Sequence, residues 1–133
     1  MNAEGRTLAR LGWHLAITIP EMMAHTGLSL KGPGEDEPAP ASARTIAELY
    51  HEAAESLVTQ MKAHWKDATL QTADMMYGEK WTKGETLRAL IFHQIHHRAQ
   101  MIVLMRQAGI PVPGIYGPAR EEWSKMGMKP PTV

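Results

Sequence analysis

Apolar residues recur at steps of three and four along three stretches of the chain, the rhythm that gathers them on one face of an α-helix. Between about residues 6 and 26, Leu8, Leu11, Leu15, Ile19 and Met22 share a face, and Pro20 is expected to kink that helix or divide it. Ile46, Tyr50, Ala53, Leu57, Met61 and Trp65 mark a second helix that ends near residue 66. Leu87, Leu90, Ile91, Met101, Leu104 and Met105 mark a third, stopped after about Gln107 by Gly109 and Pro111. Capping boxes are expected to open the last two, at Thr45-Ile-Ala-Glu48 and Thr82-Lys-Gly-Glu85. In each, the threonine oxygen accepts from the N3 amide and the glutamate accepts from the amide of the cap itself.

The connectors differ in kind. KGPGEDEPAPA, residues 31 to 41, is rich in proline, glycine and acid and reads as an exposed, mobile loop. KDATLQTADMMYGEK, residues 66 to 80, has weaker periodicity and reads as a long packed connection without strand alternation. After Gly109, Pro118 is placed to start one short helix, and the rest is expected to lie extended against the helices. The expected architecture is one all-α domain over residues 1–133 with three long helices. Helices of this length usually close as a bundle of four. The fourth side must then be covered by residues 110 to 133 or by a second copy of the chain.

Composition narrows the partners. The chain of 133 residues carries fourteen basic and fourteen acidic side chains with no long block of either sign. This gives no nucleic-acid footprint and no patch for an anionic membrane. No apolar run approaches the ~18 residues of a membrane span, and MNAEGRTLARLGWHLA lacks a signal-peptide pattern, so a cytoplasmic protein is expected. Without cysteine, any metal site must be built from histidine or carboxylate.

The candidate chemistry lies in HQIHH, residues 93 to 97, within the third apolar stripe. His93 and His97 are four residues apart, about 40° in azimuth and one turn in height, so their rings can meet at one ion. They also continue the buried rhythm of Leu90, Met101 and Leu104. His96 is rotated by about 100° and falls outside that pair. His14, beside Leu11 and Leu15 on the first helix, is the best-placed third ligand. His25, His51 and His64 lie near helix ends or on polar flanks. The zinc-protease motif needs glutamate directly after its first histidine, and here that residue is Gln94, which cannot serve as a base. Spacing alone leaves two readings open, a metal site or core histidines hydrogen-bonded to their neighbours. Arg98 is a candidate partner for a substrate carboxylate, and Trp13 and Tyr116 are candidate pocket walls.

The run from Met76 to Trp123 resembles the C-terminal half of the DinB family. The motif His93-Gln-Ile-His96-His97-Arg98-Ala99-Gln100 is similar to the family's H-x-x-H-H-R-G-Q signature, with Ala99 in place of glycine, and AGIPVPGIYGP follows it. TLARLGWHLA looks like the start of the family's second helix. The resemblance implies a four-helix bundle, often dimeric, binding a divalent transition metal through three histidines. Carried onto this sequence, these are His14, His93 and His97, with zinc or nickel expected first and iron or manganese next. It also implies a metal-dependent thiol transferase, with a low-molecular-weight thiol as cosubstrate, or a hydrolase acting on a small molecule. No catalytic residue beyond the ion is named. The family's first helix has no counterpart, which implies a truncated N-terminus or a place filled by the other subunit of a homodimer. The alternative is a non-catalytic metal-binding or structural helical oligomer.

Overall fold

The computed structural model describes residues 6–132. Three long helices dominate: α1 (Leu8–Ala24), α2 (Ala43–His64) and α3 (Lys83–Gln107). A short hairpin, β1 (Ala73–Met76) with β2 (Glu79–Thr82), joins α2 to α3 after a 3-10 turn at Asp67–Gln71. A second 3-10 turn, Arg120–Met126, forms in the tail.

Helix α1 is the centre of the domain. It packs on both α2 and α3, which barely touch one another. The sequence accounts for this, because α1 is apolar on more than one side: Leu11, Leu15, Ile19 and Met22 are buried, and so are Trp13, Ala16 and Met23. Pro20 does not divide the helix, which runs unbroken for 17 residues. The pyrrolidine ring supports the following loop instead. Gly32 sits over it at φ 138°, where an added Cβ would come within 3.0 Å of Ala53 and 3.3 Å of Pro20.

That loop, expected to be mobile, is tied to the helices. The Trp13 indole donates to the Glu37 carbonyl at 3.0 Å, the Lys31 amide donates to the Ser56 hydroxyl at 2.9 Å, and Pro33 is buried. One cap also lies elsewhere than expected. Ser42, not Thr45, caps α2, its hydroxyl accepting from the Thr45 amide at 3.3 Å. Ala43 and Arg44 are good helix formers and extend the helix by a turn, leaving Glu48 to pair with Arg44 on the surface. The second cap forms as expected, with Glu85 and Thr82 satisfying each other's amides.

The strands correct the reading of residues 66–80 as an irregular connection. Tyr77 (φ 50°) and Gly78 (φ 88°) form the two-residue left-handed turn that matches strand twist. Only Met76 on the hairpin is fully buried, so no alternation announces it. The hairpin is fastened by Lys83, whose ammonium donates to the Thr26 carbonyl at 2.7 Å, pairs with Asp74, and lies 5.9 Å from the Trp65 ring. One side chain thereby joins the ends of α1 and α2 to the hairpin and the start of α3.

The tail folds back on α3 through Arg106 and Glu121. Glu122 accepts from the amides of Gly114 and Ala119, and Val112 is buried. The tail does not close the bundle. An apolar groove of about 650 Å³ remains between α2 and α3 over α1, lined by Ala9, Gly12, Ile46, Ala47, Met101 and Met105, and Ile110 is the tail residue that reaches it. The outer face of α3 is also uncovered, with Phe92 61 % and Val103 55 % exposed. Among the described residues, no helix is long and apolar enough to cross a membrane.

Candidate metal centre

Helices α1 and α3 run antiparallel, as the bond from Gln94 to the Leu15 carbonyl and that from Lys83 to the Thr26 carbonyl show. This pairing sets His14, midway along α1, opposite His93 and His97, midway along α3. His14 Nε2 and His93 Nε2 are 3.0 Å apart, and one ligating nitrogen from each of the three histidines lies within 4.8 Å of the others. The rings meet edge to face, with centroids 4.4 to 4.9 Å apart. His97 is buried, while His14 and His93 are half-buried at the mouth.

Burial and mutual repulsion disfavour the charged forms of His93 and His14. Desolvation, and then the neighbouring imidazoles with His97 first, pull His93 down to about 4. Desolvation followed by His97 also lowers His14. Lone pairs are therefore available at neutral pH, as metal ligation requires. Two nitrogens bound to one ion at about 2.0–2.1 Å lie about 3 to 3.5 Å apart, and the His14–His93 pair is already at 3.0 Å. The ring atom His93 Nδ1 is buried without a partner. Donor type and the His14–His93 spacing fit a divalent transition ion, with the three ligating nitrogens within 4.8 Å of one another.

These shifts set a pH dependence for the metal-free protein. In the unfolded chain the two histidines bind protons as pH falls through about 6.5, whereas folded His93 stays neutral until about 4. The unfolded state thus holds more protons across that window, so stability falls as pH falls through it. The urea midpoint of metal-free protein should decline steadily from pH 6.5 toward 4, with a shallower decline in His93→Gln. A flat profile in the wild type would contradict the burial of neutral rings.

The other candidates fall outside the trio. His96 is exposed, His25 lies against Glu21 and Tyr77, and His51 pairs with Glu55. Gln94 faces α1 and braces it, consistent with its unsuitability as a base. Arg98 borders the apolar groove, Trp13 is core, and Tyr116 is 83 % exposed. Glu48, Glu52 and Glu55 are exposed on α2. Three further contacts surround these rings. The Thr18 hydroxyl donates to the His14 carbonyl at 2.6 Å, and Gln100 lies 2.7 Å from His97 Nδ1 and 3.1 Å from His96 Nε2.

A helical bundle that gathers three imidazoles from two antiparallel helices has the makings of a metal centre. The chain belongs to the DinB family, whose model matches residues 1–131. It is 46% identical over 133 residues to the uncharacterized protein YrdA of Bacillus subtilis (strain 168), spanning 100% of this chain and 80% of that one. It also superimposes on the crystal structure of a DinB-like protein from Bacillus cereus ATCC 10987 with a TM-score of 0.79 and 43% identity, over 83% of this chain and 73% of the other.

Proposed function

We propose that His14, His93 and His97 hold one divalent transition metal with a coordination position open to a small molecule, and that the protein catalyses metal-dependent thiol transfer or hydrolysis. The observation that carries this reading is the convergence of three ligating nitrogens within 4.8 Å. The cluster has three members among the described residues, with no carboxylate joining it. A structural zinc is normally closed by a fourth protein ligand, whereas a catalytic one keeps that place open. When bound, such an ion lowers the pKa of a water or a thiol toward neutrality and so supplies the nucleophile for either reaction. The chain's own part is to present three converging rings, with His97 Nδ1 held against Gln100. Elemental analysis of untagged protein and of His93→Ala tests the site. A panel of thiols with electrophiles, and of esters and amides, then tests the activity. Metal without turnover across that panel would favour the non-catalytic bundle.

The protein is also proposed to work as a homodimer. Support comes from the unpartnered outer face of α3, where Ile91, Phe92 and Val103 are half or more exposed, a patch of the sort that marks association surfaces. Light scattering at micromolar concentration should give twice the chain mass of 14.8 kDa. A stable monomer would remove this part of the proposal.

A further inference from the structure

Resting on the metal reading above, we infer that Gln100 is the positioning residue of the trio. It locks His97 in the tautomer with its proton on Nδ1, which leaves the Nε2 lone pair free to ligate.

Gln100 follows His97 by three residues and His96 by four, so on α3 its amide lies beside both rings. Its Oε1 is 2.7 Å from His97 Nδ1, and its Nε2 is 3.1 Å from His96 Nε2. An amide oxygen only accepts and an amide nitrogen only donates. His97 must therefore carry its proton on Nδ1, and His96 Nε2 must be the unprotonated acceptor. The reversed amide would donate to His97 Nδ1 and force that ring's proton onto Nε2, the one atom left for an ion. Ligation and the amide orientation found here thus require each other.

Among the described residues, no other member of the trio is braced in this way by a side chain outside it. His93 Nδ1 is buried without a partner, and among the described residues the His14 ring nitrogen meets only His93. Histidine ligands generally depend on such a partner at the second nitrogen, which fixes the tautomer and raises basicity. Here that dependence is concentrated on Gln100.

Two variants separate acceptor chemistry from packing. Gln100→Met keeps the volume and removes the acceptor, whereas Gln100→Glu keeps an acceptor for His97 Nδ1–H. Zinc dissociation constants, measured by competition with a chromogenic chelator, should rise about 10- to 100-fold in Gln100→Met and stay within about threefold of wild type in Gln100→Glu. A purely packing role predicts near wild-type affinity in both variants, since both keep the volume of glutamine, and that result would overturn the assignment. Independently of any metal, nitrogen-15 spectra of the metal-free protein at mildly alkaline pH should show His97 protonated at Nδ1 in the wild type, with that preference lost in Gln100→Met. A wild-type His97 protonated at Nε2 would overturn the lock. If the wild type takes up no zinc, the metal reading fails, and these spectra alone uphold or overturn the tautomer assignment.

Discussion

Metal leaves with one ring: His93→Ala should purify with less than a tenth of the roughly one equivalent of transition metal expected in the wild type, and should still fold. Two imidazoles seldom hold a catalytic ion, so losing the ring that sits 3.0 Å from His14 dismantles the set. The fold should survive because His93 is neutral, half-buried and burdened by an unpartnered Nδ1. Its removal exchanges some packing for relief of an unsatisfied polar atom, so the metal-free variant should lie within about 1 kcal/mol of the metal-free wild type. Added zinc at about a hundred times its dissociation constant stabilises the native state by about 2.7 kcal/mol. For a chain of this size that raises Tm by about 10 °C. The wild type should show that rise in a thermal scan, and His93→Ala should not. An equal rise in both would place the ion elsewhere.

Lys83→Met should be the most damaging single change to the fold itself. The Lys83 side chain is 12 % exposed, and its ammonium serves the Thr26 carbonyl, the Asp74 carboxylate and the face of Trp65. Methionine fills similar space but leaves a buried carbonyl and a mostly covered carboxylate without their donor. Removing one partner of a covered ion pair costs about 3 kcal/mol, chiefly through the charge left behind. By contrast Arg44→Ala, at an exposed pair, should change stability by at most about 0.5 kcal/mol. Urea unfolding compares the two directly. Because Lys83 joins four elements, the hairpin amides should also lose hydrogen-exchange protection before those in the middle of α1. A loss no larger than that of Arg44→Ala would mean that Asp74 and Thr26 find other partners.

The three helices were legible in the sequence because each has an apolar stripe with the period of its own backbone. The second cap was legible because Thr82 and Glu85 act locally. The start of α2 was misplaced for a related reason: Ser42 and Thr45 are both competent caps, and two good helix formers between them favoured the earlier. The hairpin was not legible. Its strands of four residues bury one methionine fully, and the Tyr77-Gly78 turn places tyrosine where glycine or asparagine is usual. Lys83 also escaped notice, since a lysine within a capping box resembles ordinary solvated charge until the chain brings Thr26, Asp74 and Trp65 around it.

At the candidate centre, the division falls between distances along one helix and distances between helices. The sequence by itself determined that His93 and His97 share a face, because helix geometry fixes separations of three and four residues. It also offered His14 through a resemblance and a neighbouring apolar stripe. Only the tertiary structure decided that α1 lies antiparallel to α3 at the register that brings His14 Nε2 to 3.0 Å from His93 Nε2. That register is set by packing across the seam, where Gln94 meets the Leu15 carbonyl and Gly12 lies 3.9 Å, by its added Cβ, from Met101. The same packing takes His14 and His93 partly from water and so disfavours their charged forms. Periodicity along one chain segment carries no information about which residue of another segment will face it, and that depends on side-chain volumes meeting in three dimensions.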